Sequence, residues 1–151
     1  MDESPARYPT MLEHVRAVED ACNLRDVDAV VLSSSIDCQW RCRTDFLWGR
    51  EQIRQFLTRK WRREIELRVI KELWAKDGRY IAVRFSSEFR DDSGTWYRTY
   101  GNENWEFDDC GLVRRRITSA NAHPIEEHER KFRWPRGIRP DDYPALSELG
   151  I

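Results

Sequence analysis

The sequence predicts an α+β fold in which helices cover one face of a curved, mostly antiparallel sheet. Three stretches with helical apolar spacing lie before residue 66, and four long strand-like runs joined by tight-turn sequences follow. The 151 residues, 40% hydrophobic and 35% charged, suffice for one core and are too few for two comfortable domains.

Each element has a local cause. Thr10 and Glu13 fit a capping box, and Met11, Val15, Val18 and Cys22 then recur at helical spacing, which predicts a helix over 11–24. Asp26 caps a second helix over 27–35, with Ala29, Val30, Val31 and Leu32 as its apolar side. Residues 37–43 read as a strand with Cys38, Trp40 and Cys42 on one face and Gln39, Arg41 and Arg43 on the other. A third helix opens after Gly49 and aligns Ile53, Phe56, Leu57, Trp61 and Ile65, opposite a basic face of Arg54, Arg59, Arg62 and Arg63. Four strands are then predicted over 66–76, 79–90, 95–107 and 112–122, separated by turns at Asp77-Gly78, Asp91–Gly94 and Asp108–Gly111. The tail holds a short helix at 125–132 and then a stretch broken by Pro135, Pro140 and Pro144, expected to lie extended on the surface. Such an order leaves a concavity between the helices and the sheet.

Composition narrows the function. Lys+Arg at 26 against Asp+Glu at 27 gives a net charge of −1, which argues against nucleic acid and an anionic membrane as partners. The basic run Arg59–Arg63 is read as a solvated helix face, because helical spacing turns Trp61 inward. The N-terminus lacks a signal-peptide pattern and no apolar run approaches a membrane span, so a cytoplasmic protein is expected, its four cysteines reduced. No phosphate loop, dinucleotide fingerprint or Ser-hydrolase elbow occurs. No metal or other cofactor is expected: Cys38 and Cys42 lie about 13 Å apart along a strand, too far to share one zinc ion.

The element order, with Asn23-Leu-Arg-Asp26 closing the first helix and Trp48-Gly-Arg-Glu-Gln-Ile53 opening the third, resembles the nuclear-transport-factor-2-like superfamily of ketosteroid isomerases and SnoaL-like polyketide cyclases. Lys71-Glu-Leu-Trp74, Ile81–Phe85, Asp92-Ser-Gly94 and the string Tyr100–Phe107, with the Pro-rich tail, resemble a family within it labelled a domain of unknown function (1348). The resemblance covers about residues 8–122. It implies one domain over 1–151: a cone-shaped sheet wrapped around three N-terminal helices, with 123–151 as a C-terminal extension. It also implies a small-molecule pocket on the concave face and a homodimer packed through the convex sheet face, for which cover by the chain's own tail is the alternative. Two positions depart from the pattern. Ala122 follows Asn121 where an Asp is expected, and Cys42 stands where an amide or carboxylate is usual.

If the turn at 108–111 closes a regular hairpin, Glu103 faces Arg116 and Trp105 faces Arg114. The same counting at 91–94 puts Arg84, Ser86 and Glu88 on that side with Tyr97 and Thr99, while Ile81, Val83, Phe85 and Phe89 lie on the other. A one-residue slip would reverse these faces. The resemblance implies that the face bearing Glu103 is the concave, ligand-facing side, so Glu103, Arg116 and Arg84 are the candidate catalytic residues, and Trp40, Cys42, Glu88, Tyr97, Trp105 and Arg114 the candidate substrate-binding ones. A carboxylate flanked by guanidinium groups and rings suits a cofactor-independent isomerase, cyclase or dehydratase acting on a hydrophobic carbonyl-containing or anionic metabolite, with Glu103 as acid or base. The same residues suit a non-catalytic ligand-binding protein, or a dimeric scaffold in which Glu103 and Arg116 form an ion pair inside a filled cavity.

Overall fold

A computed structural model describes residues 10–151. Helix α1 (Met11–Leu24) starts at Thr10, whose hydroxyl accepts the Glu13 N–H at 3.1 Å, and buries Val15, Val18 and Cys22. Helix α2 (Val27–Ser33) is capped by Asp26 and ends two residues before the expected position. The Ser33 and Ser34 hydroxyls both donate to the Val30 carbonyl, at 2.7 and 3.0 Å, and so compete with helix continuation. Strand β1 (Ser34–Cys42) therefore begins earlier than predicted, with Cys38, Trp40 and Cys42 all buried. A short strand β2 (Asp45–Trp48), not anticipated, folds back on β1. Helix α3 (Gly49–Arg63) buries Ile53, Phe56, Leu57 and Trp61 while Arg59, Arg62 and Arg63 face solvent. Ile65 is not on this helix: it opens β3 (Ile65–Asp77), and the chain corners at Glu66, φ +54°.

Strands β4 (Tyr80–Arg90), β5 (Trp96–Phe107) and β6 (Val113–Ile125) complete a curved, unclosed sheet of order β2-β1-β6-β5-β4-β3, antiparallel except where β1 runs beside β6. The helices pack on its concave face. At the β3 edge, the Asn23 amide exchanges two hydrogen bonds with the Val69 backbone (2.8 and 2.9 Å), and Glu19 accepts the Lys71 N–H at 2.7 Å. Side chains of α1 thus stand in for a missing strand and cover an edge that would otherwise be open.

The expectation of a surface tail is corrected. After a 3-10 turn at Glu127–Glu129, Phe132, Trp134 and Leu146 pack with Ile70 into a second apolar cluster, and a last helical turn, α4 (Leu146–Leu149), closes the chain. Polar anchors fix this strap to the convex face of β3 and β4. Glu88, fully buried, is paired with Arg98 at 2.7 Å and accepts the Lys131 and Phe132 N–H groups. Arg139 reaches Glu19 of α1 at 3.0 Å. Prolines remove donors without preventing side-chain burial, which is why a Pro-rich segment can still be a packed one.

Candidate functional site

Both hairpin registers rest on the same loop chemistry. In Asp91-Asp-Ser-Gly-Thr95 and Asp108-Asp-Cys-Gly-Leu112, the first Asp side chain accepts the N–H groups two and four residues on, and its backbone N–H donates to the carbonyl of the fifth residue. The loops are therefore closed by Asp91·Thr95 and Asp108·Leu112, one residue further round than a regular four-residue count. In the β4–β5 hairpin this displacement persists, pairing Ser87 with Thr99 and Val83 with Glu103. In the β5–β6 hairpin a bulge at Arg114 adds a second displacement, so Glu103 pairs with Thr118 and Trp105 with Arg116, and the inward face is restored.

The predicted residues divide accordingly. Glu103, Arg116, Trp40 and Cys42 line a cavity of about 80 Å³ beneath α3. Trp105 lies behind them, its ring 5.2 Å from the Arg116 guanidinium. Tyr97 is on the inward face but stacks on Phe89 at 5.5 Å and does not line the cavity. Arg84 and Glu88 are on the convex face instead, Arg84 paired with Glu72 at 3.1 Å, because the one-residue displacement reverses every side chain of β4. By the same reversal Ile81, Val83, Phe85 and Phe89 face inward. Arg114, at the bulge, is half exposed and paired with Glu106 at 2.6 Å.

Sequence reasoning missed Lys71, whose ammonium lies 2.6 Å from Glu103 Oε1 and 4.7 Å above the Phe85 ring. Its trace was present: the inward stripe of β3, Leu67, Val69, Lys71 and Leu73, is apolar except at Lys71. Glu103 Oε2 accepts from Arg116 Nε and Thr118 Oγ1, each at 2.7 Å, and the Thr118 hydroxyl also accepts the Trp40 indole N–H at 2.9 Å. Arg116 lies 4.3 Å over the Trp40 ring. Burial alone would push the Glu103 carboxyl up; Arg116 and Lys71 outweigh it and hold the group well below the usual carboxylate range. Glu103 is thus a fixed carboxylate that aligns two cations, and it is a poor proton acceptor. The thiols of Cys22 and Cys42, which complete the apolar wall with Leu57, Trp61 and Phe85, are raised by burial and stay protonated.

Phe85 reaches the cavity floor only because its neighbour is Gly101: a Cβ there would lie 2.2 Å from the Phe85 ring. Gly101→Ala is expected to push that ring toward Lys71 and to cost about 1–3 kcal/mol of overpacking in urea denaturation. The double variant Gly101→Ala/Phe85→Leu should recover most of the loss, and failure to do so would remove this contact as the cause.

His14 of α1 sits edge-on to Trp105 and Phe107, with ring centroids 5.7 and 5.0 Å away. Burial, and then Arg116, lower its pKa from 6.5 to about 4. Between those values the unfolded chain binds a proton that the folded chain refuses, so stability falls as pH drops through that window, by up to about 3 kcal/mol. Glu19, raised by burial against the pull of Arg139, works in the opposite direction. The measurement is therefore a difference: His14→Phe should lose less stability than the parent chain between pH 6.5 and 4, and parallel curves would refute the assignment.

Comparison with known proteins agrees with this architecture. An NTF2-like protein of unknown function from Burkholderia pseudomallei superposes with a TM-score of 0.65 at 16% identity, covering 71% of this chain and 87% of that one. A putative polyketide cyclase from Xanthomonas campestris gives 0.62 at 20% identity over 69% and 84%. SalBIII, an epoxide hydrolase/cyclase-like enzyme in pyran ring formation of the polyether salinomycin, gives 0.58 at 20% identity over 66% and 81%. At these identities the likeness is one of fold. No curated protein matches the sequence. Residues 5–133 match the family described as protein of unknown function (DUF1348), so the chain, with its NTF2-like cone of sheet and helices, belongs to that family.

Proposed function

We propose that this protein is a small-molecule pocket enzyme of the cofactor-independent isomerase, cyclase or dehydratase type, acting on a hydrophobic metabolite with a carbonyl or anionic group. The observation that carries the reading is the Lys71–Glu103–Arg116 cluster at the floor of an otherwise largely apolar cavity. Two cations held in a water-poor site stabilise negative charge developing on a carbonyl oxygen, with little reorganisation when it appears. Glu103 orients them, and the Lys71 ammonium is the proton donor, a role the sequence reading had given to Glu103. The names of the similar folds, a cyclase-like enzyme of pyran ring formation and a putative polyketide cyclase, support this class. The two cations bound to Glu103 favour a second reading, capture of the ligand without turnover, since they make that carboxylate a poor proton acceptor.

A thermal-shift screen of hydrophobic acids, ketones and polyketide-like compounds tests both, because a ligand of the folded state raises its stability. Compounds that shift the transition are then followed for conversion by mass spectrometry. For an uncharged carbonyl compound, conversion lost in Lys71→Met with binding still detected supports the enzyme; binding without conversion by the parent chain leaves the capture reading; a flat screen overturns both.

We also propose that two copies pair through the part of the convex face beyond the strap. Phe46, Trp48, Trp74, Tyr80 and Tyr100 are all exposed there, an aromatic density uncommon on a solvated sheet. Light scattering should give about twice the 18.2 kDa chain mass, and Trp48→Glu should give single chains. A monomeric parent protein at tens of micromolar would overturn the pairing. Among the described residues no helix is long and apolar enough to cross a membrane. The cysteines, free among these residues, fit action in the reducing cytoplasm.

A further inference from the structure

Resting on the reading of the concave cavity as a ligand site, we infer that its ligand is a compact monoanion, in the simplest case a monocarboxylate, whose charged group docks on Lys71 and Arg116. The first reason is charge balance. Lys71 and Arg116 carry two positive charges against the one negative charge of Glu103, and the three side chains are 3%, 9% and 1% exposed. A net positive charge buried this deeply is costly unless an anion compensates it. One monoanion brings the cluster to neutrality, whereas a dianion overshoots and a neutral ligand leaves the imbalance in place.

The second reason is unused donor capacity. An ammonium has three N–H donors and a guanidinium five. Among the described residues, Lys71 Nζ donates to Glu103 alone and Arg116 donates to it through Nε alone, while the Arg116 face is spent on the Trp40 ring. Donors therefore remain beside a cavity that both residues line. Thr118 cannot take this role, since its hydroxyl already donates to Glu103 and accepts from Trp40.

Size points the same way. Nearer the surface the cavity wall also carries Arg43, Lys60 and Glu64, but Lys60 and Glu64 are paired at 2.6 Å and cancel, and Arg43 is exposed to solvent, so the buried imbalance is that of Lys71, Arg116 and Glu103. The volume of about 80 Å³ exceeds the roughly 10–15 Å³ that one water needs, and is well below the about 300–1,000 Å³ of pockets for drug-sized ligands. A branched or aromatic monocarboxylate of few heavy atoms matches a polar floor surrounded by Cys22, Leu57, Trp61 and Phe85.

The test uses the full chain and defined probes. Calorimetric titration compares 2-methylpropanoate and benzoate with their amides, 2-methylpropanamide and benzamide, and with the dianion succinate. At least one carboxylate is expected to bind tenfold or more tighter than its amide and than succinate. Lys71→Met should reduce that preference by tenfold or more. The carboxylate-to-amide ratio of the parent chain decides the matter even if the variant does not fold. Amides binding as tightly as the carboxylates, or succinate binding more tightly, would overturn the inference. If ketones bind in the thermal-shift screen but neither carboxylate binds here, the monoanion is refuted and the pocket reading stands; if neither class binds, both fall.

Discussion

Glu103→Gln should lower the stability of the protein by about 3–5 kcal/mol, the range seen when one member of a buried ion pair is removed. The reason is the charge left behind. Glutamine preserves shape and part of the hydrogen bonding, but Lys71 and Arg116 then face each other uncompensated in a site where both are nearly inaccessible. For a chain of this length the loss corresponds to a fall of roughly 10 °C in the thermal midpoint. Lys71→Met should cost less, because the Glu103–Arg116 pair stays neutral and an apolar chain of similar length replaces the lysine stem. The decisive observation is that order, read by urea denaturation with unchanged slope. A Glu103→Gln protein within about 1 kcal/mol of the parent would mean that water reaches the cluster and screens it.

Phe132→Ala should be almost as damaging, at about 3–5 kcal/mol for a fully buried ring. Phe132 is 0% exposed, packed with Ile70, Trp134 and Leu146, and its backbone N–H donates to Glu88 at 2.9 Å. Losing the ring leaves a cavity where the strap meets the sheet and loosens the main-chain contacts that satisfy Glu88. A tail lying on the surface would give a change within about 0.5 kcal/mol, as ordinary exposed substitutions do. The same denaturation measurement separates the two cases.

How legible the site was can be argued residue by residue. Cys38, Trp40 and Cys42 could be placed on one inward face because side chains alternate along any strand. Glu103 and Arg116 were brought together for a partly mistaken reason: the loop at Asp108 displaces the register by one residue, the bulge at Arg114 by another, and the two restore the face. Arg84 and Glu88 had no such second displacement, so the identical loop at Asp91 carried them to the convex side. Lys71 was overlooked because a lysine in a strand is usually solvated; only the apolar residues on either side of it marked the position as inward.

By itself, then, the sequence determined the order of α1 to α3, β1 and β3 to β6, their stop points to within a few residues, and which residues of each strand share a face. These are local properties, set by helical periodicity and by the pleat. The sequence did not show the short β2, and the helix it predicted over 125–132 is a single 3-10 turn at Glu127–Glu129. Tertiary structure decided which strand faces meet and where the tail goes. Register depends on which residue pair closes a loop, here chosen by an Asp side chain bonding N–H groups two and four residues ahead, and one residue of difference reverses a strand. The tail's burial depends on partners far away in the chain, Ile70, Glu88 and Glu19, which no local pattern around its prolines could reveal.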